Sequence, residues 1–127
     1  MTTFSNGGEF REYINKLHNR WISSLLYTSH NKLYIGTYDG LGCLDLKTMN
    51  FVSTYKTNRL FPTNYIFALH EDYKGDIWVG TSKGLIWLSE KTRKYRLFTT
   101  KDGLPSDAIC SIEEDKKHTL WVSTDYG

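Results

Sequence analysis

Two acidic turns carry the residues of this sequence that come nearest to a catalytic or metal-binding pattern. Residues 70–75 read HEDYKG, and residues 113–118 read EEDKKH. A zinc protease places a second histidine four residues after the first, as in H-E-x-x-H, but Lys74 stands there instead. No other spacing matches a known calcium or zinc ligand set. We therefore interpret Asp72 and Asp115 as acceptors for the backbone amides of their own turns, with Gly75 at a positive φ, and predict no metal.

Other catalytic patterns are not found in the sequence. It has no G-x-S-x-G motif and no glycine-rich phosphate loop, and its four histidines are scattered. Glu113 and Glu114 are adjacent, so in a strand they point to opposite faces and cannot share one proton-transfer site. We predict that this segment has no catalytic residues, uses no cofactor and is not an enzyme.

Composition and charge narrow the class of protein further. With 127 residues and 14.8 kDa, the chain is one domain or part of one. A net charge of +2, with no basic run longer than Lys116-Lys117, gives no nucleic-acid surface. The N-terminus lacks the basic and apolar regions of a signal peptide, and no apolar run approaches membrane-spanning length. We expect no nucleic acid partner and no membrane contact by this segment.

Aromatic and cysteine residues point to strands. Aromatic residues make up 15% of the chain, which is typical of β-structure or of a ligand surface. The two cysteines, Cys43 and Cys110, lie in separate strand-like apolar runs and form neither a disulfide framework nor a CxxC metal pair. We predict that both are buried free thiols.

An internal repeat organises the chain. The phrase KLYIGTYDGL at residues 32–41 returns as DIWVGTSKGL at 76–85 and as TLWVSTDYG at 119–127. Aligned on its aromatic residue, Tyr34 is 44 residues before Trp78, which is 43 residues before Trp121. The second copy contains four apolar runs of four to six residues, separated by turn material, and no helical periodicity persists. Four short antiparallel strands in about 43 residues predict a β-propeller blade.

The repeat predicts an all-β fold of four-stranded antiparallel meanders, arranged as an incomplete arc of about three blades. A closed propeller needs at least four blades, so the sequence represents part of one. We expect strand a of each blade to be innermost, the three aligned aromatics to pack between blades, and Gly36 and Gly80 to permit close backbone approach. The predicted segments are a last strand at 9–14, blades at 21–55 and 65–99, and the first two strands of a blade at 107–124.

The repeat resembles the two-component regulator propeller repeat. The resemblance rests on DGLPSDAICSIEEDKKHTLWVSTDYG at 102–127, with weaker copies NRLFPTNYIFALHEDYKGDIWVGTSKGL at 58–85 and NRWISSLLYTSHNKLYIGTYDGL at 19–41. The first copy departs from the pattern at Asn31, Lys32 and Tyr34, and the third at Ser123. Such repeats build the extracytoplasmic sensor of bacterial hybrid histidine kinases, many of which detect glycans. The resemblance therefore implies a periplasmic input domain in a parent protein that carries a kinase.

One rim of the blades is the candidate binding surface. In a meander of strands a to d, the b–c and d–a connections fall on one rim, and the a–b and c–d turns on the other. The residues at the tips of the b–c and d–a loops differ between copies, while the residues that flank these loops recur. Aromatic faces beside charged groups suit carbohydrate recognition, although loops are also polar without binding anything. The candidate ligand-binding residues are Tyr38, Asp39, Arg59, Lys83, Asp125 and Tyr126.

The leading functional hypothesis is a non-catalytic ligand-sensing propeller fragment of a two-component signalling protein, with an oligosaccharide as ligand. The alternatives are a propeller scaffold that binds a protein partner and, third, a propeller lyase or hydrolase fragment. Unpaired sheet edges and exposed apolar blade faces favour association with other chains or blades. We therefore expect contacts with other propeller blades of the parent chain or a homo-oligomer.

Overall fold

Three antiparallel sheets follow one another along the chain. The structure is a computed structural model that describes residues 22–37, 40–55 and 65–125. The predicted strand at 9–14 lies outside these residues. The first sheet has the order β1-β2-β3-β4, and the second β5-β6-β7-β8. Their strands are β1 (Ile22–Tyr27), β2 (Lys32–Thr37), β3 (Gly40–Asp45), β4 (Asn50–Tyr55), β5 (Ile66–Glu71), β6 (Ile77–Thr81), β7 (Gly84–Leu88) and β8 (Tyr95–Phe98).

The third sheet pairs β9 (Ile109–Glu114) with β10 (Leu120–Thr124). Between the second and third sheets, Thr100–Asp102 forms a three-residue 3-10 turn. The described ranges contain no α-helix, and none of their helical segments is long and apolar enough to cross a membrane. The predicted all-β fold of four-stranded antiparallel meanders is confirmed.

Strand register repeats from sheet to sheet. Strand β2 pairs Tyr34 with Leu26, β6 pairs Trp78 with His70, and β10 pairs Trp121 with Glu113. The three aligned aromatics therefore occupy one register position. Neighbouring sheets contact each other mainly through their first strands, β1 with β5 and β5 with β9, as expected when strand a is innermost.

The first two sheets enclose an apolar core. Leu41, Ile66, Ile77, Val79 and Ile86 form one buried cluster that draws side chains from both sheets. Burying each large aliphatic side chain contributes about 1.5–3 kcal/mol, so this interface is a main source of stability. The period-2 alternation of β6, with Ile77 and Val79 fully buried, directs these residues towards the first sheet.

Glycine lets the sheets approach closely, as predicted. A Cβ atom on Gly36 would lie 2.7 Å from Cγ2 of Ile66, and one on Gly80 would lie 2.7 Å from Cγ2 of Ile109. The first strand of each following sheet thus packs directly onto the backbone of the second strand before it. The repeated glycine of the W-V-G-T phrase is therefore a packing residue.

The packing prediction is wrong for Trp121. Tyr34 is fully buried and Trp78 is partly buried, but Trp121 is 63% exposed. Its side chain lies on the outer face of β10, and the described residues place no further sheet beyond that face. The aromatic side chain at this repeat position is therefore buried only where a following sheet packs against it.

The prediction of two buried thiols is wrong for Cys110. Cys43 is fully buried in the core, whereas Cys110 is exposed because it lies at the register shift of β9, where the strand pairing is irregular. Burial also raises the pKa of the Cys43 thiol, which keeps it protonated and unreactive.

Thiol labelling should separate the two cysteines. In the native protein, a thiol-specific chromogenic reagent should react with one thiol per chain, and the second should react only after denaturation. Cys110→Ser should abolish the native reaction, and Cys43→Ser should leave it unchanged. Reaction of both thiols at equal rates in native protein would show that the core between the first and second sheets, which contains Cys43, opens readily.

Candidate functional site

The acidic turns are structural, as interpreted from the sequence. Asp72 Oδ1 accepts hydrogen bonds from the backbone amides of Lys74 and Asp76, each at 3.0 Å, and Gly75 has φ 87°. Asp72 Oδ2 accepts from the indole Nε1 of Trp78 at 2.9 Å. Both oxygens of this carboxylate thus accept hydrogen bonds from groups of the same blade.

The same arrangement recurs in the third sheet. Asp115 accepts from the amides of Lys117 and Thr119 at 2.8 and 3.0 Å and from the indole of Trp121 at 2.9 Å. The Trp121 indole and these amides lower the pKa of the Asp115 carboxyl, which keeps it ionised as an acceptor. In the described part of the chain, no group of three or more His, Cys, Asp or Glu side chains is placed to hold a metal ion.

In the first sheet, different residues stabilise the equivalent turn. Thr28 stands at the position of Asp72, and its Oγ1 accepts from the amides of His30 and Lys32 at 3.3 and 3.4 Å. A threonine has no second oxygen for the aromatic residue of β2, and that residue is Tyr34 instead of tryptophan. The tyrosine hydroxyl is therefore available for a partner on the next sheet.

The partner of this hydroxyl is Glu90, which is the centre of a polar cluster at the rim formed by the a–b and c–d turns. Its carboxylate forms an ion pair with Lys32, accepts a hydrogen bond from Tyr34 at 3.1 Å and lies 3.1 Å from the Arg93 guanidinium. Arg93 also donates to the Tyr34 hydroxyl at 2.6 Å. Burial raises the pKa of Tyr34, so the phenol remains a hydrogen-bond donor. The cluster ties the first sheet to the second.

Two glutamates make a second, repeated connection on the same rim. Glu71 ends β5 and accepts from the amide of Ser29, in the turn of the first sheet, at 3.0 Å. Glu114 ends β9 and accepts from the amide of Tyr73, in the turn of the second sheet, at 3.2 Å. Each glutamate therefore clamps the a–b turn of the preceding sheet. We name Glu71 and Glu114 the rim clamps.

The described histidines gather around the rim clamps. His30 Nδ1 lies 3.8 Å from Glu71, while His70 Nε2 and His118 Nδ1 lie 2.9 and 3.5 Å from Glu114. The His118 ring also stacks on Tyr73, with the ring centroids 4.1 Å apart. These side chains bridge neighbouring sheets, so their arrangement serves packing between blades.

The rim clamps and the Glu90 cluster were not predicted from the sequence. A signal for the clamps existed, because Glu71 and Glu114 recur 43 residues apart and each immediately precedes the aspartate of its turn. A signal for the cluster also existed, because the first copy departs from the repeat pattern at Lys32 and Tyr34 together.

The opposite rim holds the predicted binding residues that the structure describes. Lys83 is exposed at the tip of the β6–β7 turn, where its amide donates to Thr81 Oγ1 at 3.1 Å. Asp125 is exposed directly after β10. Both therefore lie at b–c positions of successive sheets, as predicted. Tyr38, Asp39, Arg59 and Tyr126 lie outside the described residues.

Backbone hydrogen bonds fix the frame of this rim. The amide of Ser82 donates to the carbonyl of Tyr65 at 3.4 Å, and the amide of Asp125 donates to the carbonyl of Ala108 at 3.1 Å. The two bonds are equivalent in the repeat, and each connects a b–c loop to the d–a loop that precedes the same sheet. The loop tips are thus held on a constant backbone frame.

The d–a loop between the second and third sheets is similarly ordered. Thr99 and Asp102 form a reciprocal capping box, and Gly103 follows in the left-handed conformation at φ 107°. Asp107 Oδ1 accepts from the amide of Thr100 at 2.8 Å and closes the loop. Side chains on this loop are therefore presented from a rigid backbone.

A groove of about 470 Å³ runs along the face of the second sheet towards the third. It begins at the a–b rim, beside the stacked Tyr73 and His118, and continues along aromatic side chains of the sheet. Residues from three strands of the second sheet and from β10 line it, among them Trp78, Trp87, Phe98 and Leu120. The groove lies between blades and not on the predicted binding rim.

Two segments of the chain match a known family model. A family model described as "Two component regulator propeller" matches residues 60–83 and 103–126. These segments contain the second and third copies of the repeated phrase. A comparison with curated proteins found no match.

Two solved structures are similar to most of the chain. The chain matches the extracellular domain of BT3049 from B. thetaiotaomicron, described as a hybrid two-component system, with TM-score 0.74, 30% identity and coverage of 81% of this chain. It matches the extracellular domain of BT4673 from the same organism with TM-score 0.69, 27% identity and 84% coverage. The chain spans 14% of the length of each of these structures.

A more distant match supports the fold alone. The WD40 β-propeller domain of Doa1 aligns with TM-score 0.66 at 14% identity, covering 83% of this chain and 34% of that one. Similarity of blade geometry at so low an identity indicates a shared propeller architecture and carries no information on function.

Proposed function

Since residues 60–83 and 103–126 are two-component regulator propeller repeats, we propose that the chain is part of a non-catalytic, ligand-sensing propeller in a two-component signalling protein. Its structural neighbours are extracellular domains, which supports a periplasmic location. The ligand we propose is a carbohydrate. Binding shifts the conformation of the propeller, and this shift, not turnover, carries the signal.

The observation that carries the proposal is the constant frame beneath variable loop tips. The Ser82–Tyr65 and Asp125–Ala108 backbone bonds repeat from blade to blade, while the side chains that they present differ. Asp125 stands at the repeat position of Ser82, and Lys83 at the repeat position of Tyr126, so the side chains differ at both positions. A set of blades built in this way offers many different contacts on one shared scaffold, which is what recognition of an irregular, polar oligosaccharide needs.

The chemistry of the proposed rim residues also suits a sugar. Tyr38 and Tyr126 supply aromatic faces for stacking on the ring of a sugar. Arg59 and Lys83 supply donors for hydroxyl or anionic groups, and Asp125 supplies an acceptor. The opposite rim is less suitable, because Asp72, Asp115 and the rim clamps already use their carboxylates within and between blades.

Titration of oligosaccharides into the complete propeller tests the proposal. Arg59→Ala should weaken binding of an acidic oligosaccharide by roughly 10- to 100-fold, because a hydrogen bond to a charged group contributes about 1.5–3 kcal/mol. Tyr38→Ala should weaken the binding of neutral and acidic oligosaccharides alike, because the stacking of a sugar ring on the aromatic side chain is lost. Tyr73→Ala, on the opposite rim, is the matched control and should not change the affinity. Loss of binding in the Tyr73 variant alone would place the site on the other rim.

The gene that carries this segment provides a second test. Further repeats after Gly127, followed by a membrane span and kinase modules, would support the sensor. A stop codon there, with no neighbouring signalling gene, would instead favour the alternative of a propeller scaffold that binds a protein partner.

A further inference from the structure

The first, innermost strand of each described sheet contains a β-bulge at the same repeat position. The register of its pairing with the second strand shifts there in β1, β5 and β9. The residues that the pairing skips are Ser23, Phe67 and Cys110. All three are exposed, and bulges re-aim side chains at sheet edges and next to functional sites.

In β5 the bulge turns Phe67 out of both neighbouring cores. Ile66 belongs to the core between the first and second sheets, whereas Ala68 packs against the core between the second and third sheets. Residues two apart share a face in a regular strand, so the bulge has placed these two on opposite faces. Phe67 belongs to neither cluster and is 41% exposed.

Ser23 shows what a structural residue does at the bulge position. Its hydroxyl lies 3.1 Å from the carbonyl oxygen of Gly36 and also bonds to the carbonyl of Ile66, on the inner strand of the next sheet. Phe67 has no donor for such a bond. Its partly exposed ring also contributes less than full burial of a phenylalanine provides. Packing between blades therefore does not account for a phenylalanine here.

A second exposed aromatic residue directly precedes the same strand. Tyr65 is 51% exposed, and its carbonyl accepts the Ser82 amide that fixes the loop carrying Lys83. In the third sheet, the equivalent carbonyl belongs to Ala108. The backbone frame is thus the same in the two sheets, while the side chain that it presents differs.

The two rings stay exposed although both neighbouring sheets are in place. Strand β5 contacts β1 on one side and β9 on the other. The exposure of Tyr65 and Phe67 is therefore a property of the second blade between its neighbours.

The size of this surface favours a sugar over a protein partner. Two aromatic side chains offer at most about 300–500 Å², whereas a standard protein interface buries about 800 Å² on each partner. Ser23 and Cys110, the equivalent bulge residues of the adjacent inner strands, are small and do not extend the aromatic area. Isolated rings beside a lysine fit the apolar face and the polar groups of a sugar ring.

We propose that Tyr65 and Phe67 form an aromatic platform at the inner end of the b–c and d–a rim, on which a ring of the oligosaccharide stacks. This assignment rests on the proposed function and adds two stacking contacts to it. Lys83, on the loop that is bonded to Tyr65, meets hydroxyl or anionic groups of the same oligosaccharide.

Two substitutions taken from the repeat itself test the platform. Tyr65→Ala and Phe67→Ser introduce the residues that Ala108 and Ser23 already place at these positions, so the blade should still fold. Each should weaken binding of the complete propeller to the tightest-binding member of an array of neutral and acidic oligosaccharides by roughly 5- to 20-fold. Tyr65→Phe keeps the ring and should bind nearly as the wild type does. Tyr27→Ala is the matched control, because Tyr27 is an exposed aromatic residue of an inner strand at the opposite rim.

Cysteine labelling adds a readout of the platform itself. In a complete propeller that carries Cys110→Ser, Tyr65→Cys and Phe67→Cys should each react with a maleimide in the native state. The same oligosaccharide at saturation should slow both reactions at least about fivefold. Failure of both cysteines to react would show that other parts of the propeller cover the platform, and this would overturn the assignment.

The outcomes also separate the platform from the proposed function. Binding that is weakened by Arg59→Ala but not by Tyr65→Ala or Phe67→Ser would overturn the platform alone. An equal loss in Tyr27→Ala would have the same consequence, because the effect would then not be specific to the platform. Absence of binding to every oligosaccharide of the array would overturn the proposed function and the platform with it.

Discussion

Replacing Gly36 with valine should lower the free energy of unfolding by about 3 kcal/mol or more, the upper part of the range for overpacking a core. A Cβ atom at this position would lie 2.7 Å from Cγ2 of Ile66 and 2.5 Å from Oγ of Ser24. Ile66 is fully buried on the inner strand of the next sheet, so it cannot move aside without separating the sheets. Urea denaturation followed by circular dichroism measures the loss.

Ser123→Val is the matched control, because Ser123 holds the same repeat position in β10. Its hydroxyl lies 2.7 Å from that of Ser111, and the described residues place no following sheet against it. The substitution should cost no more than about 1.5 kcal/mol, the loss of one hydrogen bond. Equal destabilisation by the two valines would show that the close approach of Ile66 is not what constrains Gly36.

The second large effect should come from Glu90. Glu90→Ala should lower the free energy of unfolding by about 3 kcal/mol, because removing one partner of a buried ion pair leaves the others uncompensated. The Glu90 side chain is 7% exposed, and it forms ion pairs with both Lys32 and Arg93. We expect the lower end of the usual range, since both cations retain some access to water.

Two variants separate charge from side-chain volume at this cluster. Glu90→Gln keeps the size and should lose less than Glu90→Ala, because its amide oxygen still accepts from Tyr34. Lys91→Ala, at the exposed neighbouring position, should change stability by less than about 0.5 kcal/mol. Denaturation midpoints that are the same for Glu90→Ala and Lys91→Ala would contradict a cross-sheet role for the cluster.

The blade architecture was predictable because it is encoded redundantly. More than one copy of the repeat shows the same strands, the same turns and the same register. The prediction of the fold therefore does not depend on a single copy that departs from the pattern. Tyr34, Trp78 and Trp121 take the same register position despite different side chains and different burial. The period fixes where a residue lies in its own blade.

Contacts between blades were less predictable, because they depend on which residue meets which across two different copies. The Glu90 cluster joins residues more than 55 positions apart and occurs only where Lys32 and Tyr34 replace the usual turn. The burial of Cys110 and Trp121 was mispredicted for a related reason. An apolar residue in a strand is covered only if the next sheet or a regular neighbouring strand lies over it.

The two rims therefore differ in what their polar groups do. Along the a–b rim, the rim clamps and Glu90 connect one blade to the next. Along the b–c and d–a rim, backbone hydrogen bonds set the loops, and the side chains of Lys83 and Asp125 remain exposed. This difference is the central claim of our account: one rim connects neighbouring blades, and we propose that the other binds the ligand.

Hydrogen–deuterium exchange of the complete propeller, with and without a saturating oligosaccharide chosen by titration, tests this claim most directly. We expect ligand-dependent protection of backbone amides in the b–c and d–a loops, at residues 82–83, 100–107 and 125. We expect unchanged exchange in the a–b turns, at residues 73–76 and 116–119, where the amides already bond to Asp72, Asp115 and Glu114. Protection confined to the a–b turns, with the loops unchanged, would contradict the claim.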